Sequence, residues 1–176
     1  FQILSKDIIR IQTETGNYFS ILADENNYDI ANFGIGGLIG TVCSMSEKYI
    51  NNKGILLTVP DIKNERYVSS DWNKTYYAIL NILRNAVMWS KNETRIRISV
   101  SETKKFVKVK ITDMGKGMDT ETLKSCCNPF FTLNGGLGLG LTVSKRHIED
   151  MGGVEAGGRF QRAGTEKRGG AAGVLF

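Results

Sequence analysis

The chain has 176 residues, 41% of them hydrophobic and 23% charged, with a mean hydropathy of −0.19, which is enough to bury a single core. No apolar run approaches the roughly 20 residues of a membrane span, so no membrane segment is expected in it. The net charge of +5 is spread along the chain; residues 159–168 are locally basic, but no nucleic-acid-binding motif supports them and no nucleic-acid partner is expected.

The chain begins at Phe1 with neither Met nor a signal-peptide pattern, and it reads as a piece of something longer. Ile3, Leu4, Ile8, Ile9 and Ile11 have helical spacing that weakens at Thr13-Glu-Thr-Gly16, and residues 1–22 are set apart as a linker from a domain over 23–176. Residues 23–28 are polar and read as a connection. Phe33, Leu38, Ile39, Val42, Met45 and Tyr49 predict a helix over 33–50. Gly34, Gly36, Gly37 and Gly40 each cost about 1 kcal/mol there relative to Ala, so its first half is expected to be irregular. The run Gly54-Ile-Leu-Leu-Thr-Val-Pro60 predicts a strand closed by proline.

Ser70 or Asp71 can cap a long helix that ends near Ser90. Arg95-Ile-Arg-Ile-Ser-Val100 and Phe106-Val-Lys-Val-Lys-Ile111 alternate, which predicts paired antiparallel strands with one wet face. Residues 119–126 predict a small helix. Asn134-Gly-Gly-Leu-Gly-Leu-Gly140 leads into a second amphipathic helix with Leu141, Ile148 and Met151 as its stripe, and residues 171–176 suggest a closing strand. Helices on one face of a mixed sheet make an α+β fold, a two-layer α/β sandwich. Cys43, Cys126 and Cys127 lack metal-ligand spacing and read as reduced core residues.

Three pieces carry chemistry. Asn81 and Asn85 are four apart, so a helix places both amides on one face, which suits magnesium with its oxygen ligands, retained waters and shared phosphates. In Thr112-Asp-Met-Gly-Lys-Gly-Met118 the glycines let the chain turn tightly behind Asp113, whose carboxylate can accept a hydrogen bond from an exocyclic amine such as that of adenine. The glycines before Leu141 open a helix whose first N–H groups attract phosphate.

With these in order, the chain resembles sensor histidine kinases. Residues 81–90 look like the N box, 113–117 like the first glycine box, Asn128-Pro-Phe-Phe-Thr132 like the F box and 136–141 like the second glycine box of the wider superfamily of ATPases with the Bergerat fold. The resemblance covers about 29–165, where Gly152-Gly153 and Gly164-Thr165 also recur. It implies a mostly antiparallel mixed sheet covered on one face by helices, ATP and Mg2+ as cofactors, and transfer of the γ-phosphoryl group to a histidine. It makes 1–22 the alternative remnant of a dimerisation helix and implies a cytoplasmic domain whose parent is a homodimer. The partners implied are a phosphoacceptor-histidine dimerisation domain, upstream or in trans, and indirectly a response regulator.

The resemblance implies a role for each matching residue. Asn85 holds magnesium with Asn81 beside it in the catalytic pair, as polar support or as the equivalent of a base, and Asp113 selects adenine within a wall shaped by Gly115 and Gly117. Trp89 stands where an aromatic flanks adenine, either stacking on it or serving as a core residue. Thr132, Gly136, Leu137, Gly138, Leu139 and Gly140 line the phosphates, with 132–136 as the lid. Phe130 and Phe131 are expected in the core, anchoring the lid or simply filling space.

His147, inside the helix after the second glycine box, is not where the family has its acceptor. It is expected to face solvent or to pack between helices. Met88, Asn134 and Leu137 replace a Lys, a basic residue and a hydroxyl common in the family. A charged contact is worth about 1.5–3 kcal/mol, so weak affinity or slow transfer is expected, with Lys91 or Arg84 as candidate replacements. Two other readings share the boxes: a nucleotide-binding pseudokinase or regulatory module, and a serine kinase or ATPase of the same superfamily. The latter would be favoured by Glu in place of Asn81.

Overall fold

A computed structural model describes residues 28–59, 65–104, 106–133, 135–151 and the strand 171–175. The helix expected at the start of the chain, the connection over 23–27, Asn134 and the glycines at 152–153 and 164 lie outside the described residues.

Among the described residues, ten elements follow in chain order: β1 (Ile30–Gly34), α1 (Ile35–Asn52), β2 (Leu56–Thr58), β3 (Tyr67–Asp71), α2 (Trp72–Trp89), β4 (Arg95–Glu102), β5 (Val107–Thr112), α3 (Thr120–Ser125), α4 (Gly140–Asp150) and β6 (Ala171–Leu175). The main sheet runs β2-β4-β5-β6, with β2 parallel to β4 and the other pairs antiparallel. β1 and β3 form a separate antiparallel pair. The alternation read in β4 and β5 holds: Ile96, Ile98, Val107, Val109 and Ile111 are buried, while Arg95, Arg97 and Ser99 are exposed. The buried side joins Leu38 and Val42 of α1, Ile79, Ile82 and Leu83 of α2 and Ile148 of α4 in one core, where each fully buried aliphatic side chain contributes about 1.5–3 kcal/mol. This is the expected α+β architecture of helices over a mixed sheet.

α1 departs from expectation, because it is helical from Ile35 without an irregular first half. Its opening donors are satisfied from the segment before β3, with Ile35 N–H donating to Arg66 O at 2.9 Å and Gly36 N–H to Glu65 Oε1 at 2.7 Å. Burial of Ile35, Leu38, Ile39 and Val42 then offsets the glycine cost. Phe33 and Gly34 belong to β1, which pairs Phe33 with Val68 of β3. Neither strand has the apolar alternation that would reveal it.

At α2 the cap is Asp71, whose Oδ1 accepts from Lys74 N–H at 3.0 Å and whose Oδ2 accepts from Asp29 N–H at 3.1 Å. Ser70 is buried instead, its hydroxyl 3.0 Å from that of Thr75.

Candidate functional site

α2 is the beam on which the site is built. Its buried face carries Ala78, Ile82 and Ala86, and among them Asn81, only 5% exposed. A polar group so placed needs partners. Asn81 Nδ2 donates to Gly140 O at 3.2 Å and to Ser144 Oγ at 3.3 Å, and Ser144 Oγ donates in turn to Gly140 O at 2.8 Å. The start of α4 is thereby tied to the middle of α2. Asn85 follows one turn later, half-buried, on the face that meets this junction.

The approach to α4 is set by one glycine. Gly138 has φ +68°, and a Cβ on it would lie 2.5 Å from the Phe130 carbonyl carbon and 2.6 Å from Phe131 O, both backbone atoms that cannot swing away. Leu139 is the N-cap of α4, buried and with no side-chain cap bond, so the first-turn amides of the helix are not taken by its cap. Gly136, Gly138 and Gly140 are half-buried, while Thr132 and Leu137 are exposed at the opening.

The F box differs from expectation. Phe130 is not a core aromatic but is 68% exposed, with φ +64°, and Phe131 is half-buried. Gly138 pins the backbone of this pair, and the Phe130 ring is turned outward. Just before it, Asn128 N–H donates to Ser125 O and Phe131 N–H to Asn128 O, so the segment is wound into consecutive turns.

At the C-terminal end of α2, Asp113 leaves β5 and its Oδ1 accepts from Gly115 N–H at 2.7 Å, an Asx turn. Gly115 is buried, and a Cβ there would sit 2.8 Å from both Asp113 Oδ1 and the Trp89 carbonyl oxygen. Only glycine lets this turn press on the end of α2. Gly117, at φ +71°, completes it. Trp89 is half-buried and carries the Lys116 ammonium 4.5 Å from its ring centroid. The structure thus gathers Asn81, Asn85 and the glycine start of α4 at one region of α2, and Asp113, Gly115 and Trp89 at its C-terminal end.

Lys53 also belongs to this end of α2. Its ammonium donates to the carbonyls of Val87, Met88 and Ser90, and nothing in the local pattern announces a lysine reaching across from the end of α1. Of the candidate replacement cations, Arg84 stands over Tyr49 of α1 at 5.6 Å and Lys91 is exposed. Met88 is 42% exposed. His147 is buried at 2%, which decides for helix packing over solvent.

Among the described residues no three His, Cys, Asp or Glu side chains cluster as metal ligands. The amide oxygen of Asn85 is nevertheless a hard donor of the kind magnesium takes when phosphates and waters complete its shell. Cys126 and Cys127 are free thiols with Sγ atoms 3.8 Å apart, and Cys43 is a third free thiol. The neighbouring Cys127 thiol lowers the Cys126 pKa to about 7, aided by the Lys145 charge, while the Cys127 thiol itself is pushed up by Cys126 and by burial.

The family model described as "Histidine kinase-, DNA gyrase B-, and HSP90-like ATPase" matches residues 70–174. Sporulation kinase A of Bacillus subtilis is 27% identical over 155 residues, 88% of this chain but 26% of the relative, so the chain spans about a quarter of that protein's length. Full-length ShkA in complex with AMPPNP superposes with a TM-score of 0.79 at 19% identity, covering 96% of this chain and 35% of that one. Histidine kinase ThkA in complex with the response regulator protein TrrA gives a TM-score of 0.74 at 20% identity, over 98% of this chain and 49% of that one. These two likenesses establish the fold.

Proposed function

Because the chain belongs to the histidine kinase-, DNA gyrase B- and HSP90-like ATPases, we propose that it is the ATP-binding catalytic domain of a sensor histidine kinase, passing the γ-phosphoryl group of ATP to a histidine outside this sequence in two-component signalling. The observation that carries this reading is the joining of α2 to the glycine start of α4 through Asn81, with Asn85 one turn along and the Asp113 turn at the helix end. Residues 23–176 are the domain, and 1–22 are a linker to it or the remnant of a dimerisation helix. The parent is a homodimer whose domain works in the cytoplasm, and a response regulator takes the phosphoryl group from the histidine.

Phosphoryl transfer asks a protein mainly for positioning and charge neutralisation. Asp113 accepts from the exocyclic amine of adenine, with Gly115 and Gly117 forming the wall and Trp89 beside it. The amides at Gly136, Gly138 and Gly140 receive phosphate oxygens, with Leu137, Leu139 and Thr132 lining the opening. Asn85 holds magnesium, which when bound offsets phosphate charge, and Asn81 keeps the two helices in register. Placing Asp113→Ala beside the unmutated chain in calorimetry with non-hydrolysable ATP and GTP analogues tests the assignment. The substitution is expected to bring the two affinities together, and equal binding of both analogues by the unmutated chain would sink the adenine reading.

A nucleotide-binding module without transfer is a second reading, favoured by Met88, which stands exposed where the family has a lysine. Asn81, in place of Glu, speaks against a member of the superfamily that hydrolyses ATP with a catalytic Glu.

A further inference from the structure

The last carbonyls of a helix have no intrahelical partners, and α2 disposes of its own in an unequal way. Lys53 Nζ lies 2.9 Å from Val87 O, 2.7 Å from Met88 O and 2.9 Å from Ser90 O, so the three donors of one ammonium meet three acceptors. The carbonyl left over, that of Trp89, is the one against which Gly115 packs. Lys53 is itself held by its backbone: its N–H donates to Ile50 O at 3.2 Å, and its carbonyl accepts from Glu93 N–H at 2.8 Å. The side chain therefore joins the end of α1 to the end of α2 from a fixed base. Its charge also lies at the negative pole of α2, where a cation is favoured.

We propose that Lys53 is a positioning residue for adenine recognition: by gripping the carbonyls of Val87, Met88 and Ser90 it fixes the last turn of α2, leaving the Trp89 carbonyl as the seat on which the Gly115 turn sets the Asp113 carboxylate. This rests on the nucleotide reading above. Asp113 Oδ1 is oriented by Gly115 N–H, Gly115 is seated on Trp89 O, and Trp89 O is placed by the turn that Lys53 holds. A shift of a few tenths of an ångström at the helix end passes along this series because a Cβ-free contact at Gly115 leaves no slack.

The test compares ATP and GTP analogues by calorimetry for the unmutated chain, Lys53→Met and Lys53→Arg. Lys53→Met keeps the apolar stem and removes the charge and donors; it is expected to lower the ATP-over-GTP preference about tenfold while competition by tripolyphosphate is unchanged. Lys53→Arg should restore most of the preference. A lower melting temperature with the preference intact would make Lys53 a fold-stabilising cap only and overturn the inference.

If Lys53→Met does not fold, reciprocity supplies the answer in the unmutated chain. An adenine that depends on the grip of Lys53 must tighten that grip. Acetylation of Lys53, read by mass spectrometry, is then expected to slow in saturating adenosine, and an unchanged rate overturns the inference. Absence of any ATP preference in the unmutated chain is a different result, removing the adenine reading and this inference together.

Discussion

Single side chains divide the labour between chemistry and support. Asn81 and Asn85 look equivalent in sequence, yet Asn81 is buried and spends its amide on Gly140 and Ser144 while Asn85 is half-buried. The metal role is therefore expected of Asn85. Asn85→Ala should weaken binding of a triphosphate analogue in magnesium far more than in EDTA, and an identical loss in both would make it a helix-packing residue. The adjacent cysteines give a second residue-scale expectation. The first proton of the pair leaves Cys126 at about 7, below the ordinary thiol value of 9.0. A folded pKa below the unfolded one contributes stability that is fully present above the unfolded value and is lost as pH falls through the folded one, here between about 9 and 7. Alkylation of Cys126 by iodoacetamide should accordingly rise through pH 7, whereas a midpoint near 9 would mean that the pair does not share its proton.

Elements differ in what their glycines do. Gly138 is at φ +68° against the Phe130 and Phe131 backbone, so Gly138→Ala adds both strain and a clash; a loss of about 1–3 kcal/mol is expected, readable as a lower melting temperature. Gly37 is on the exposed side of α1 with nothing within 4 Å of a built Cβ, so Gly37→Ala should stabilise by about 0.4–1 kcal/mol. Melting curves shifting in the same direction would contradict this pair of readings. The contrast explains what the sequence could reveal. The glycines that open α4 and the alternation of β4 and β5 were readable because their local pattern and their tertiary role agree. α1 is more regular than its pattern suggests because its propensity is poor and its support comes from Glu65 and Arg66, far along the chain. β1 and β3 stayed hidden because each depends on the other, and Lys53 because its three partners lie more than thirty residues away. Phe130 broke the rule that aromatics go inside because its backbone, not its ring, is what the fold holds.

At the scale of the molecule, rigid and adaptable parts are separated. The core of α1, α2, β4 and β5 is buried and continuous, whereas Leu133 and Leu137 are exposed at 53% and 45%. Amides at 135–137 should exchange quickly in the free protein and slow when an ATP analogue and magnesium are added, with β4 and β5 unmoved. Exchange that is already slow in the free protein, and unaltered by nucleotide, would make the lid a fixed wall.

The register of β5 and β6 sets the mechanical terms for that ordering. Thr112 and Ala171 are paired neighbours in the sheet, so the excursion that leaves β5 at Asp113 and carries both glycine boxes starts beside the strand that closes it. Closing such a loop costs only slowly more as it lengthens. Residues can therefore be added or removed at the exposed Thr132 and Leu133, between the Gly115 turn and the Asn81 junction, without disturbing the strands that bracket the excursion. The sheet behaves as a hinge plate with fixed pins, and the Asn81 junction is a third pin, set in the middle of the span. A lid built this way can be retuned in length and chemistry while the frame that presents it stays the same.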